Sequence, residues 1–236
     1  MAQRIVSITE ALAKHYREEY GCTNIDIVVA PDGADPIPPG TTPPDIGVAG
    51  SGLQVGYIGH RYKGRGGEMV LQLAHRLPEF RFHIVGGTAT DLTKRRGVMS
   101  EEIPENVVFY GFLPPSEVDR YRLAFDVLLA PYQRTVYVSG GERTSTAKWM
   151  SPLKIFEYMA AGKPILCSDL PVIREVLENG HNAMLCDPDN LDCWVAALTR
   201  LQRDRTLAKQ ISATALRDFT EKYTWQRRAA SVLVRM

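Results

Sequence analysis

The chain has 236 residues, of which 44% are hydrophobic and 23% are charged, a composition typical of a globular protein that buries a sizeable core. Its 28 lysines and arginines balance 27 aspartates and glutamates, which argues against nucleic acid as a partner. The four cysteines lack metal-site spacing, and there is neither an apolar run of eighteen residues nor a signal-peptide pattern. We therefore expect a reduced, cytoplasmic protein, with contact to a membrane surface only through a part outside this chain.

The first fifty residues predict a strand, a helix, a second strand and a linker. Residues 4–6 read as a short strand, and the spacing from Ser7 to Glu10 is that of a capping box before a helix. A second strand is predicted at 25–30. The stretch 35–52 is rich in proline and glycine, cannot hold a regular element and is assigned to a linker.

After the linker, short apolar runs alternate with amphipathic stretches. Apolar runs of this length are typical of strands buried on both faces of a parallel sheet. The predicted strands are 53–58, 80–85, 107–110, 127–130, 164–167 and 183–186, and helices are predicted to begin near Gly66, Ser116, Pro152 and Pro171. The pattern predicts an α/β fold, a Rossmann-like doubly wound parallel sheet over 53–220, followed by a closing helix over 221–236.

The strongest local signal is SPLKIFEYMAAGKP at residues 151–164. Serine before proline predicts a helix with Ser151 as N-cap and Pro152 at the first helical position, and Gly162 suits the C-terminal stop. The amides that follow Pro152 have no acceptor within the helix, and the positive end of the helix dipole lies there. This helix start therefore predicts an anion site.

Two charged side chains of this helix suit a nucleotide. A lysine in the first turn opposes the helix dipole, so Lys154 is better explained by a bound anion than by helix stability. Glu157 follows on the same face, where its carboxylate can accept hydrogen bonds from two ribose hydroxyls. The alternative is a capped helix with a Lys154–Glu157 ion pair on its surface, and the segment alone does not decide between the two.

A second candidate phosphate site is the turn GHRYKGRGG after the strand 53–58. Its glycines, among them Gly59 and Gly66, let the backbone approach a phosphate, and three cations ending with Arg65 lie beside a helix N-terminus. The turn does not match GxGxxG, and glycine-rich turns occur in many folds without ligands, so a purely structural turn remains an alternative.

The long irregular segment 131–150 precedes the helix 151–164. Loops of this length are often functional, and this one carries aromatic and basic residues, namely Tyr132, Arg134, Tyr137 and Arg143. We interpret it as a mobile wall of the ligand pocket.

In their order along the chain, these segments resemble the family 4 glycosyltransferases (glycosyl transferases group 1). The opening, IVSITEALAKHYREEYG to IDIVVAPDGAD, is similar to the end of that family's N-terminal domain. VGYIGHRYKGRGG resembles its G-R…K-G turn, with His60 at the arginine position and Arg65 at the lysine position. NVVFYGFLPPSEVDRYRLAFDVLLAPY resembles the segment that cradles the base, and SPLKIFEYMAAGKPILCSDLPVIREVL resembles the donor-binding helix with the strand that follows.

The resemblance implies the C-terminal, donor-binding half of a GT-B fold. Residues 1–34 are then a remnant of the N-terminal acceptor domain, and the closing helix returns toward it. Residues 1–30 are expected to pack against this helix near Trp225 and not to extend the main sheet. The rest of the acceptor domain would be a missing domain or a partner chain, so this chain alone is expected to bind donor without transferring the sugar.

The resemblance also implies a retaining transfer, without metal or other cofactor, from a UDP-, GDP- or ADP-linked sugar to a carbohydrate or lipid-linked acceptor. Arg65 and Lys154 would stabilise the donor diphosphate as catalytic residues, and Glu157 would hold the ribose. The other residues implied in donor binding are Gly59, His60, Gly66, Tyr110, Gly111, Phe112, Ser151, Pro152 and Leu153.

The sequence departs from the family pattern at Trp149, which occupies the position of the first of two signature glutamates. The sequence therefore does not show which residue would contact the donor sugar in place of that glutamate. Two other classes remain as alternatives. One is a non-catalytic nucleotide-sugar-binding or assembly subunit that pairs with a separate N-terminal-domain chain. The other is a GT-B-fold sugar-nucleotide epimerase, which would need acid/base carboxylates or histidines in the cleft, and no such cluster lies near 59–66 or 151–157.

Overall fold

The computed structural model describes residues 4–47, 50, 52–59, 64–87, 103–137 and 145–233. Their strands are β1 (Arg4–Ser7), β2 (Asp26–Val29), β3 (Gln54–Ile58), β4 (Arg81–Val85), β5 (Val107–Gly111), β6 (Val127–Ala130), β7 (Ile165–Ser168) and β8 (Met184–Cys186). Their α-helices are α1 (Glu10–Glu19), α2 (Gly67–Arg76), α3 (Pro115–Ala124), α4 (Leu153–Ala160), α5 (Leu191–Arg203), α6 (Arg205–Asp218) and α7 (Trp225–Leu233). In this part of the chain no helix is both long and apolar enough to cross a membrane.

Six strands form one parallel sheet in the order β5-β4-β3-β6-β7-β8. Strands β3, β4 and β5 follow one another from the middle of the sheet to one edge. Strands β6, β7 and β8 then follow one another from the middle to the opposite edge. This is the strand order of the doubly wound fold that binds nucleotides where the order reverses. Every residue of β6 and β7 is buried, as central strands covered on both faces should be. The predicted Rossmann-like α/β fold is confirmed.

Each face of this sheet carries its own hydrophobic cluster. On β6, Leu129 belongs to the cluster beneath α2 and α5, whereas Leu128 belongs to the cluster beneath α4. Trp194, Leu198 and Leu201 lie at helical spacing along one face of α5, and all three are fully buried. The two clusters hold the carboxyl ends of the strands in fixed positions, and the loops that leave them build the cavity described below.

The first and last segments of the chain meet outside the main sheet. Strands β1 and β2 form a separate two-stranded parallel sheet, as predicted. Arg228 of α7 donates hydrogen bonds to the carbonyls of Ala30, at 3.3 Å, and Pro31, at 3.0 Å. Ala34 and Thr224 form a parallel bridge next to them. The predicted contact between the opening segment and the closing helix is thereby confirmed.

Among the predicted helix starts, those near Ser7 and Pro171 are wrong. The N-cap of α1 is Thr9, whose hydroxyl accepts a hydrogen bond from the Leu12 amide at 3.1 Å, while the Ser7 hydroxyl donates to the Thr9 carbonyl. In place of a helix near Pro171 there is a single 3-10 turn, Ile173–Glu175. Helix α1 therefore begins two residues later than the capping-box pattern predicts, and after Pro171 the chain makes a tighter turn in place of a helix.

Candidate functional site

A cavity of about 610 Å³ opens at the carboxyl ends of β3 and β4, beside the point where the strand order reverses. Doubly wound folds bind their ligands at this position. Its walls are the glycines after the two strands, one side of α3, the start of α4, and the junction between the two ends of the chain. Residues that line it include Gly33, Ile58, Gly59, Gly86, Phe112, Val118, Asp119, Arg122, Leu153, Glu157 and Trp225.

Two glycines form the floor of the cavity. Gly86 has a φ of +103°, and a Cβ there would lie 2.6 Å from the Gly59 carbonyl oxygen. Gly59 has a φ of +145°, and a Cβ there would lie 2.9 Å from Nζ of Lys154. Gly86 needs glycine both for its backbone conformation and for space, and Gly59 needs glycine for its backbone conformation. The Lys154 ammonium therefore lies directly behind the cavity floor.

Lys154 is buried, with 9% of its surface exposed. Nζ lies 4.0 Å from the centroid of the Tyr57 ring and 5.5 Å from that of Tyr132, and it makes no hydrogen bond with the described residues. Burial, and after it the Arg65 guanidinium, lower the pKa of Lys154 to about 7. A buried cation without a hydrogen-bonding partner is costly for a fold, and perturbed groups of this kind cluster at functional sites.

Arg65 lies in the turn before α2, where its carbonyl accepts a hydrogen bond from the Tyr57 hydroxyl at 3.1 Å. Its guanidinium carbon is 5.8 Å from the Tyr132 ring centroid, so Arg65 and Lys154 share one aromatic neighbour. Nε of Arg65 and the hydroxyl of Tyr132 are buried, and neither has a hydrogen-bond partner in the described part of the chain. Such atoms are rare in native proteins, and the structure brings three of them together here.

Glu157 lines the cavity one turn further along α4. Its carboxylate pairs with Nη2 of Arg122 at 2.6 Å, and the same guanidinium also donates to Asp119. The surface ion pair between Lys154 and Glu157 is therefore not formed, because the lysine turns inward to Tyr57 and the glutamate pairs with α3. About a third of the Glu157 side chain stays exposed, which leaves a carboxylate edge open to a ligand.

The start of α4 differs from the prediction. The N-cap is Pro152 and the helix begins at Leu153, so the prediction of Ser151 as N-cap is wrong. The Ser151 hydroxyl accepts a hydrogen bond from the amide of Asp32, at 3.0 Å, a residue far away in sequence. No side chain caps α4, and the amides of Leu153 and Lys154 have no acceptor within the helix. The anion site at this helix end stays a prediction.

Of the three residues predicted to hold the base, only Phe112 lines the cavity, and it is 77% exposed. The Tyr110 hydroxyl points into the sheet, 2.9 Å from Nδ1 of the buried His83. Gly111 has a φ of +68°, and its carbonyl accepts the Gly86 amide at 2.7 Å. Tyr110 and Gly111 therefore support the cavity from behind.

In the turn before α2, Gly66 has a φ of +86°, and a Cβ there would lie 2.0 Å from the Pro131 carbonyl oxygen. This glycine lets the turn pack against the chain that leaves β6 and does not line the cavity. His60 lies outside the described residues.

The segment 131–150 is only partly described. Tyr132 lies beside the two cations. Arg134 is at the surface, where its Nη2 lies 2.9 Å from Oδ1 of Asp187 and its Nε lies 2.5 Å from Oδ2 of Asp189. Trp149 stacks on His15 of α1, with ring centroids 4.6 Å apart. Residues 138–144, with Arg143, lie outside the described part.

Sequence reasoning missed three residues of the site. Arg122 orients Glu157, Tyr57 faces the Lys154 ammonium, and Trp225 lines the cavity from α7. The sequence contained a signal for Arg122, because Asp119 and Arg122 have the i,i+3 spacing of a helical ion pair. The other two come from distant parts of the chain and reach the site only through the tertiary fold.

The strand order and the cavity beside its reversal define a Rossmann-like domain of the doubly wound class. The model of the family Glycosyl transferases group 1 matches residues 53–204, and the chain belongs to this family of glycosyltransferases.

Two curated proteins and one solved structure illustrate the similarity. The chain is 30% identical over 122 residues to TuaH of Bacillus subtilis (strain 168), a glycosyltransferase assigned to teichuronic acid biosynthesis, over 51% of this chain and 28% of TuaH. It is 27% identical over 214 residues to the phosphatidyl-myo-inositol mannosyltransferase of Mycolicibacterium smegmatis, over 88% of this chain and 51% of that protein. The fold matches Anabaena HepE in complex with UDP with a TM-score of 0.75 at 15% identity, over 100% of this chain and 65% of HepE. The chain thus spans about half, or less, of the curated relatives.

Proposed function

We propose that this chain binds a nucleotide-sugar donor in the cavity and forms the donor-binding part of a retaining, metal-independent glycosyltransferase. The observation that carries the proposal is the pair of cations, Lys154 and Arg65, which face the ring of Tyr132 and whose buried Nζ and Nε have no acceptor among the described residues. Two like charges in one buried place repel each other and lose hydration. The diphosphate of a nucleotide sugar would compensate both.

In this proposal the diphosphate, the ribose and the base of the donor are each bound by different residues of the site. Lys154, Arg65 and the first amides of α4 hold the diphosphate, because charged donors and a helix N-terminus converge there. Glu157, oriented by Arg122, accepts hydrogen bonds from the ribose hydroxyls. The exposed ring of Phe112 offers an apolar surface to the base.

Metal independence is proposed because two protein cations would face the diphosphate in this arrangement and could stabilise the charge that develops as the sugar leaves. Retention is proposed because Asp119 and Glu157, the carboxylates of α3 and α4 that line the cavity, both pair with Arg122. A carboxylate held in this way is poorly placed to act as the general base that an inverting attack would need, or as the nucleophile of a double displacement. The donor's own phosphate would then take the proton from the acceptor. NMR of the product's anomeric proton tests this part.

For the acceptor we propose a carbohydrate or a lipid-linked carbohydrate, reached from the cytoplasmic side at a membrane surface. The support is that the matched relatives are named for teichuronic acid biosynthesis and for a phosphatidyl-myo-inositol acceptor. The acceptor would be held by a further domain or by a partner chain.

A ligand panel tests donor binding directly. The melting temperature of the chain is measured with UDP-glucose, GDP-mannose and ADP-glucose, once in EDTA and once with Mg²⁺. A ligand that binds only the folded protein raises its melting temperature. We expect one of the three nucleotide sugars to raise the melting temperature of the parent, and Lys154→Met to remove that increase. No increase with any of them would contradict the proposal, and an increase that requires a divalent cation would contradict metal independence.

A further inference from the structure

We propose that Tyr57 is a positioning residue, whose ring holds the Lys154 ammonium behind the cavity floor and ready for the donor diphosphate. The catalytic use of Lys154 rests on the function proposed above, but the contact itself is a property of the free protein. Nζ of Lys154 lies 4.0 Å from the Tyr57 ring centroid, well inside the range of about 6 Å over which a cation is attracted to an aromatic face.

The Tyr57 ring is fixed in place. Tyr57 is fully buried in β3, where it pairs with Ile84 of β4. Its hydroxyl donates to the Arg65 carbonyl at 3.1 Å. One tyrosine thus contacts both elements that carry the cations: the ring faces Lys154, and the hydroxyl holds the turn of Arg65.

The route from this ring to the cavity is short. Nζ and Cε of Lys154 lie 2.9 Å and 3.0 Å from where a Cβ of Gly59 would be, and Gly59 lines the cavity. The lysine therefore passes over a residue without a side chain. A small rotation near the end of the side chain would bring the ammonium from the ring to a ligand on the floor.

The other groups around Lys154 do not replace the ring. Arg65 repels the ammonium, and Arg122 does so more weakly. Cys167 of β7 is a neutral thiol, because burial raises its pKa to about 12. The Glu157 carboxylate attracts the ammonium, but it pairs with Arg122. Tyr132 offers a second ring at 5.5 Å. The Tyr57 face is the nearest attractive contact that the described residues provide.

Titration of Lys154 in the free protein tests the contact. Tyr57 is replaced by Phe and by 3,4,5-trifluorophenylalanine, which keep the size of the ring while fluorine removes the negative charge of its face. The Lys154 Cε resonance, assigned with Lys154→Met, is followed against pH. We expect Phe to leave the midpoint near its parent value and the fluorinated ring to lower it by about one pH unit, a tenfold loss in proton affinity. Equal midpoints for the two rings would overturn the proposal.

A binding cycle tests the positioning role. Tyr57→Leu is compared in the parent and in Lys154→Met, with the nucleotide sugar that the parent binds. We expect a loss of about tenfold in the parent at pH 7, a smaller loss at pH 6, where more of the lysine is protonated, and almost none in Lys154→Met. Equal losses in both backgrounds would overturn the role. Phe82→Leu, a core change on β4 without a cation contact among the described residues, is the control. If Tyr57→Leu does not fold, the fluorinated variant takes its place.

The two proposals fail separately. If no nucleotide sugar binds the parent, the proposed function fails while the titration still tests the contact. If a donor binds and the two rings give the same titration, only the role of Tyr57 fails.

Discussion

At the scale of single residues, stability and ligand binding make opposite demands on Lys154. The free fold holds its ammonium over Tyr57 and beside Arg65, with no hydrogen bond to any residue that the structure describes. The unfolded chain solvates the same ammonium fully. A residue that weakens the fold in this way is retained for another reason, and we infer that the reason is the donor diphosphate.

Lys154→Met is therefore expected to stabilise the protein while it weakens donor binding. The pKa of Lys154 is lowered from 10.5 to about 7 in the folded state, so the unfolded chain holds more protons between these values, and the stability of the parent rises with pH across that window. The gain from Lys154→Met should be largest at pH 7 and below, about 1–4 kcal/mol, and should vanish near pH 10.5. Urea unfolding at a series of pH values measures it. A stability loss at pH 7 would contradict the burial of an unpaired charge.

Glu157→Gln is expected to weaken nucleotide binding because it removes an acceptor for the ribose hydroxyls. An amide has one acceptor oxygen where the carboxylate has two, so the affinity for UDP should fall by about 1.5–3 kcal/mol. The sharper comparison is UDP against 2′-deoxy-UDP by calorimetry: the parent should prefer the ribose form and the variant should lose much of that preference. Glu117→Gln, which removes a carboxylate paired with Arg120 on α3, is the control. An unchanged preference in Glu157→Gln would place the ribose elsewhere.

At the scale of the elements, the cavity depends on close packing between the ends of neighbouring strands. The turns after β3 and β4 approach so closely that the Gly59 carbonyl fills the space of a side chain at Gly86. The floor is therefore backbone, which lets the lysine of α4 approach the ligand from below.

Gly86→Ala tests this packing against a matched glycine. Gly180 also has a positive φ, +76°, but a Cβ there would meet nothing within 4 Å. Gly180→Ala should cost about 1 kcal/mol for backbone conformation alone, and Gly86→Ala should cost about 2 kcal/mol more because the methyl group meets the Gly59 carbonyl. Chemical unfolding of the two variants compares them. Equal losses would show that the floor has room for a side chain.

The element pattern was predictable because the central strands are mainly apolar and buried, and β6 is apolar at every residue. The errors lie where a partner distant in sequence decides the local structure. Ser151 is a good N-cap by its neighbours, yet its hydroxyl is bound by Asp32 across the fold. The spacing of Lys154 and Glu157 on one helix was right, but their partners are Tyr57 and Arg122, on a strand and a helix that no local pattern connects to them.

At the scale of the whole molecule, the cavity joins the main sheet to the ends of the chain. Gly33 and Trp225 line it from the junction where the opening segment meets α7. Gly33 is packed so tightly that a Cβ would lie 2.5 Å from the Tyr223 carbonyl oxygen. A ligand in the cavity therefore touches both parts, and its binding should also stabilise the junction.

The most direct test of donor binding by the buried cations is a calorimetric cycle with Lys154→Met, Arg65→Met and the double variant, titrated with the nucleotide sugar that the panel selects. Each single change should weaken binding about tenfold or more, since charge-assisted hydrogen bonds to phosphate are lost. The double variant should lose little beyond that, because both cations hold one diphosphate. Affinity for the nucleoside alone should not change. If both single variants bind the nucleotide sugar as tightly as the parent, the diphosphate does not lie on these two cations.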